Sequence, residues 1–543
     1  MANIFSKRPV EVPNKSAFDL SHRNCFTTKC GTITPCLVDE LLPGDKVSLG
    51  AGFQVQLPPM AADFYGRVRA RIEAFFVPNR LLFGGWKTFI ENADSRQISG
   101  DFENYSILPG IEVDSVGVTA NKAMLGAGTL ADYLGFKSPQ PIVTGETTTI
   151  RTRIPNILPF MAYHKIYDDW YRDSRIQVPL FKPFMATVSL GVKSLPSSIN
   201  NGSSVVEWFS TTSSTQTQFS DGVNIMSLRQ RCWSKDYFTN ATTQPQAGSE
   251  SNVTFSTSGD TGTFSIAQLR AANSLQQWKE RMNISGRYGD RIQAQFGVYP
   301  SDAVTDRSIY LGSMTIDVYN KSVYQTATNS GDSTNEFNAV GSKYASAQAV
   351  GNGSLIDEFE AKEYGFLFVN FTLMPDAQYS TGTRRYLSRS KIGDYAWPVL
   401  AGVGDQAIYQ SELDGYGGYV MTDSTTVSPK VIFGYTQRYS DYKFMNDEVH
   451  GLLRNGENLS QYALQRYFSY TSHPTVNSAF ITIPTNAMDN ITSTTADISN
   501  FGCWVDSGWS YKKVSTLPAY SIPTLGDIKN THTISVDSGG KRL

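Results

Sequence analysis

Apolar and polar residues alternate most cleanly over residues 64–77. Val68, Ala70, Ile72, Ala74 and Phe76 fall on one side, and Arg67, Arg69, Arg71, Glu73 and Phe75 on the other. A period of two is that of a strand with one buried face. Shorter strand-like runs occupy 30–38 and 46–56, separated by the turn signal Pro43-Gly44-Asp45,. Strand patterns return after Pro300, at 309–318, 364–373, 430–435 and 479–484,. Helical spacing is rarer. Residues 159–172 carry Phe160, Tyr163, Tyr167, Trp170 and Tyr171 on one aromatic face, with Pro159 tolerated near the start,. Residues 266–284 place Leu269, Leu275, Trp278 and Met282 on one stripe, a loop from Asn79 leads into a short helix around Leu82, Trp86, Phe89 and Ile90, and 459–468 reads as a helical piece,. Long polar stretches at 194–260, 326–353 and 405–428 read as loops, and 518–543 as an extended tail,. Scattered strands with long connections lack the βαβ rhythm of an α/β enzyme. They predict a mainly β protein: an antiparallel sandwich of the jelly-roll type, with large loop insertions containing short helices.

At 543 residues the chain exceeds one ordinary globular core,. It divides into an extended arm and first strand (1–60), strands with a helical insertion (61–193), a large surface insertion ending in the amphipathic helix (194–300), the remaining strands with long loops (301–517) and the tail (518–543). Hydrophobic content of 40% and mean hydropathy of −0.28 predict a soluble fold, without an apolar run of membrane-spanning length,. The first residues offer no apolar stretch suited to a secretory signal, which predicts a cytosolic site of synthesis,. Cysteines number five, with Cys25, Cys30 and Cys36 clustered and Cys232 and Cys503 alone; without a CxxC pair they read as free thiols in a reducing compartment,. Charged residues are only 18% and aromatics 12%, a balance suited to extensive contact surface,.

Catalytic motifs are missing from the sequence: there is no P-loop, nucleophile elbow or HExxH,. His164 with Asp168 and Asp169 has the look of a metal or acid–base site but lacks further ligands, so helix-surface charges are the simpler explanation,. Carboxylate pairs at Asp357/Glu358 and Asp447/Glu448 leave a β-sandwich glycosidase as an alternative,. The arginine strip Arg67, Arg69 and Arg71 reads either as a face for a partner or nucleic acid, or as a salt-bridged sheet face,.

An ordered set of phrases runs from about residue 18 to 527: Ser21-His22 with Thr27-Thr28, Val38-Asp39-Glu40-Leu41-Leu42-Pro43-Gly44-Asp45, and Phe75-Phe76-Val77-Pro78-Asn79-Arg80-Leu81 leading to Trp86. Leu158-Pro159-Phe160-Met161-Ala162-Tyr163-His164, Asp236-Tyr237-Phe238-Thr239, Arg287-Tyr288-Gly289-Asp290 and Phe433-Gly434-Tyr435 follow in order. The set resembles the major capsid proteins of the small single-stranded DNA phages, the Microviridae, closest to the gokushovirus branch.

That resemblance implies a single eight-stranded antiparallel jelly roll of viral capsid type and no catalytic role or cofactor. It implies self-assembly of about sixty copies through two-, three- and five-fold contacts into a small icosahedral (T=1) shell around circular single-stranded DNA. The insertion at 194–300 then corresponds to a protrusion at the three-fold axes serving attachment to a bacterial surface receptor. The site of action is the virion, with assembly in the bacterial host cytoplasm. Lys+Arg of 47 against Asp+Glu of 49 gives 47 − 49 = −2, which cannot neutralise packaged DNA,. A small basic DNA-binding virion protein is therefore expected as a partner, beside a minor spike or pilot protein. Lys7, Arg8, Lys15, Lys541 and Arg542 in the terminal arms are the candidate DNA-facing cations, with solvated or intersubunit charges the alternative,. A polysaccharide-active enzyme or carbohydrate-binding surface protein is the competing function.

Overall fold

The computed structural model describes residues 15–60, 63–83, 86–91, 126–136, 156–180, 226–245, 266–282, 285–324, 343–402, 404–416, 431–469, 473–492 and 502–518, and short strands at 7–11, 111–113, 152–154, 210–211, 214–215 and 533–537. Nine strands form the main sheet: β1 (Ser16–Asp19), β2 (His22–Thr28), β3 (Thr34–Leu41), β4 (Lys46–Gln56), β5 (Val68–Pro78), β6 (Ile309–Tyr324), β7 (Lys343–Glu360), β8 (Gly365–Pro375) and β9 (Cys503–Ser515). Their order across the sheet is β1, β9, β4, β7, β6, β5, β8, β3, every pair antiparallel. β2 also pairs with β9, end to end with β1, so nine strands fill eight positions. The mainly β, antiparallel expectation holds.

The sheet is curled. β4 and β8 stand four places apart, yet Phe53 of β4 stacks on Phe371 of β8 with ring centroids 5.9 Å apart. Phe371 also meets Phe26 of β2 edge-on at 5.7 Å. A flat sheet cannot bring these strands together; a half-barrel with its core-facing residues inside can. Val68, Ala70, Ile72, Ala74 and Phe76 face that core, as the alternation predicts. Leu367, Val369, Phe371 and Leu373 do the same from β8.

β8 is buried along its whole length because its other face is covered too. Helix α1 (Leu158–Ile166) continues as one wider turn over Tyr167–Tyr171 and lays its aromatics on Phe75, Phe366 and Phe368. The Tyr163 hydroxyl donates to the Ile33 carbonyl at 2.8 Å and accepts the Arg229 amide at 2.8 Å, tying sheet, helix and the 226–245 segment together. Tyr237, Phe238 and Ala241 of that segment enter a third core with Tyr379, Phe433 and Phe480. Helices α2 (Ile266–Met282) and α3 (Tyr288–Phe296) pack on each other.

Four element predictions need correction. Residues 479–484 are not a strand but enter a short helix, Ser478–Ile481, because the Asn477 side chain accepts the Phe480 amide at 2.9 Å as an N-cap,. The helical piece expected at 459–468 is a tight turn, Ser460–Tyr462, then the strand Gln465–Arg466. There Arg466 lies 4.5 Å from the Phe480 ring centroid and 4.9 Å from that of Trp233, contacts that override helical spacing,. The polar stretch 326–353 contains the first half of β7, and the buried hydrophobic residues in that half are only Ala345, Ala347 and Ala349. Within 405–428, Asp405–Tyr409 pairs as a strand with Ile432–Gln437.

Candidate functional site

Each arginine of the strip lies on the sheet face opposite the barrel core and meets a carboxylate. Arg67 Nε donates to Asp317 at 3.0 Å, Arg69 pairs with Asp376, and Arg71 Nε lies 2.7 Å from Glu73. Glu73 is buried and also takes Arg231 at 2.5 Å. Burial pushes its carboxyl up, but the guanidiniums of Arg231 and Arg71 outweigh that and hold it below the usual carboxylate range,. Tyr171, buried beside Glu73, is pushed well above the usual phenol value by burial first and the adjacent carboxylate second. The strip is thus locally neutralised, and its field on a polyanion is weak.

The terminal cations are distributed differently. Lys7 and Arg8 sit on the strand Lys7–Glu11, antiparallel to Thr533–Asp537, with Lys7 opposite Asp537 and Arg8 opposite Val536. The two terminal arms therefore pair with each other. Lys15 Nζ donates to the Gly44 carbonyl at 2.7 Å and lies 3.7 Å from Glu360. Lys541 and Arg542 lie outside the described residues.

The groups that could have carried chemistry are engaged in structure. His164 is fully buried, with Arg229 Nε at 3.3 Å from its Nδ1. Asp168 pairs with Arg172 and accepts the Leu180 amide at 3.2 Å. Asp169 takes Lys165 at 3.0 Å and both amide and hydroxyl of Ser308, fastening α1 to the start of β6. Glu358 pairs with Lys46, and Glu448 with Arg384. Among the described residues no group of three or more His, Cys, Asp or Glu is placed to hold a metal ion. Cys25, Cys30, Cys36, Cys232 and Cys503 are free thiols; Cys30, Cys36 and Cys503 are buried, and burial pushes Cys503 up to about 12.

Sequence patterning passed over a different surface. Residues 384–400 fold into three single turns, Arg385–Ser388, Ile392–Asp394 and Pro398–Leu400. They lie against 439–448, and large apolar side chains from both limbs point outward, among them Ile392 and Val399. The Trp397 amide donates to the Tyr439 hydroxyl at 3.1 Å and the Ala396 amide to the Tyr442 hydroxyl at 3.4 Å. Arg389 pairs with Asp441 and stands 4.3 Å over the Tyr442 ring. The signal available in the sequence was the density of Ile, Leu, Val, Trp and Tyr in a stretch without strand or helix periodicity. Such arrangements suit protein contact: aromatic and aliphatic anchors on a braced backbone.

Comparison with known proteins places this architecture. The family described as Capsid protein (F protein) matches residues 8–259 and 186–525. The chain belongs to that family of phage capsid proteins. It is 27% identical to capsid protein VP1 of Chlamydia phage 1 across 97% of this chain and 98% of that protein. Capsid protein VP1 of Bdellovibrio phage phiMH2K is 26% identical, covering 96% and 97%, and that of Spiroplasma virus 4 is 24% identical, covering 94% and 95%. The protein is accordingly a structural component of a virion that assembles into a capsid; the enzymatic alternative has no support in the family.

Proposed function

We propose that about sixty copies of this chain close a T=1 icosahedral shell around a circular single-stranded DNA genome, assembling in the cytoplasm of a bacterial host. The observation that carries this reading is the family match along nearly the whole chain, 8–259 and 186–525. A structural chain of net charge −2 leaves the genome's charge to other cations,. The reading therefore includes a small basic DNA-binding virion protein, with a minor spike or pilot protein as a further component. The insertion 194–300 is proposed as the three-fold protrusion that meets a host surface receptor. DNA contact by this chain is local and sequence-independent: Lys7, Arg8, Lys15, Lys541 and Arg542 of the arms approach phosphates, and the neutralised strip at Arg67, Arg69 and Arg71 belongs at a subunit boundary.

Expression of the chain alone and with the basic protein, followed by electron microscopy and nuclease protection, tests the proposal. Closed shells, with nuclease-resistant DNA only when the basic protein is present, are expected. Shells retaining DNA equally well without it would remove the basic partner from the account. Proteolysis within 194–300 should abolish host adsorption while leaving shells intact; unchanged adsorption would separate the insertion from attachment.

A further inference from the structure

We infer that the shelf formed by residues 384–400 and 439–448 is a subunit contact, and that its occupant is a second copy of this chain. The inference rests on the assembly reading above and adds to it the surface used. Val399 is 91% exposed, Met445 80% and Ile392 79%. Side chains of this kind standing in water within one patch mark a contact surface.

The shelf is also braced. Besides the two tyrosine hydroxyls that hold the 396–397 backbone, Tyr439 itself adopts φ +61°, ψ +26°, the left-handed region. A non-glycine residue held there costs of order 1 kcal/mol and persists only where its surroundings fix it. Here the Gln406 side chain accepts the Tyr439 amide at 2.8 Å, and Gln406 Nε2 donates to Asp441 at 3.0 Å. A contact face fixed before binding loses less conformational freedom when it docks.

Three features select a second copy over other occupants. Aliphatic tips such as Val399, Ile392 and Met445 give a nucleic acid nothing to stack on or pair with, whereas they fit a packed protein interface. Arg384 and Arg389, which would otherwise draw phosphate or an acidic partner, are neutralised by Glu448 and Asp441 of the same chain. The chain also carries a second exposed apolar ridge, with Tyr288 and Phe296 on α3 and Tyr299 and Val304 just beyond it. A shell built from one chain needs unlike surfaces of matching character to meet in heterologous contacts.

Peroxide oxidation of Met445, followed by mass spectrometry, reads the contact in the unaltered protein. Oxidation roughly tenfold slower in closed particles than in dissociated subunits is expected, and it should stay slow after the particles are emptied of DNA. Equal rates in the two states would overturn the inference. Protection lost on emptying would overturn it in favour of nucleic acid. Val399→Asp supplies an independent arm, since the side chain has almost no packing within its own chain to lose. Particle yield should fall roughly tenfold with the subunit melting temperature unchanged. Normal yield would overturn the inference, and normal particles that fail to adsorb would assign the shelf to the host instead. If the unaltered chain forms no particle, the assembly reading itself fails; particles whose Met445 stays open contradict only this surface.

Discussion

Buried charge is where single residues matter most in this molecule. Glu73 lies under the sheet face with Arg231 at 2.5 Å and Arg71 at 2.7 Å. Glu73→Gln leaves the Arg231 guanidinium buried without its counter-charge, and chemical denaturation should show a loss of about 3–5 kcal/mol. The same pair sets a pH dependence. The Glu73 carboxyl titrates lower in the folded chain than in the unfolded one, so its stabilisation is complete above the unfolded value and disappears as pH falls through the folded one,. Thermal melts should therefore drop more steeply in acid, below about pH 4, for the native chain than for Glu73→Gln. Gly382, which leads into the shelf, has φ +95°, and a Cβ built there would stand 2.1 Å from the Glu412 carbonyl oxygen. Gly382→Ala should cost about 1–3 kcal/mol from backbone conformation alone, with the clash in addition.

At the scale of elements, closure of the curled sheet hangs on aromatic contacts between strands distant in the pairing order. Phe371 touches both Phe53 and Phe26 from the middle of the barrel. Phe371→Ala should destabilise the chain by about 3–5 kcal/mol, measured by denaturant midpoint at constant slope. Strand β5 was legible in the sequence because Val68, Ile72 and Phe76 alternate with the charged Arg69, Arg71 and Glu73, and helix α1 because its aromatics recur at helical spacing,. The first half of β7 was not, since its inward residues are the alanines at 345, 347 and 349, and alternation among small residues is nearly silent,. The 479–484 stretch misled because one Asn477 cap decides between helix and strand over so short a run,. The arginine strip was visible, but its carboxylate partners Asp317 and Asp376 lie far along the chain, and only the fold brings them to Arg67 and Arg69. The shelf escaped notice for a related reason: exposure of Ile392 or Val399 is a property of tertiary structure, and in sequence each looks like a core residue,.

The whole molecule combines a closed core, internally neutralised charges and a braced apolar shelf, together with membership of a capsid protein family along nearly its full length. A chain so built functions by fitting against copies of itself. The strand Lys7–Glu11, which carries Lys7 and Arg8, pairs with Thr533–Asp537, so deleting the strand at either end should have the same effect. Nuclease-resistant DNA per particle should fall to the same degree in both truncations; a loss confined to one of them would show that the arms act separately. Sedimentation velocity of the purified chain under assembly conditions decides whether it builds shells. A boundary of megadalton particles, corresponding to about sixty chains, that dissolves into subunits on dissociation is expected. A single species at the 60.0 kDa of one chain, at every concentration and salt tried, would contradict it.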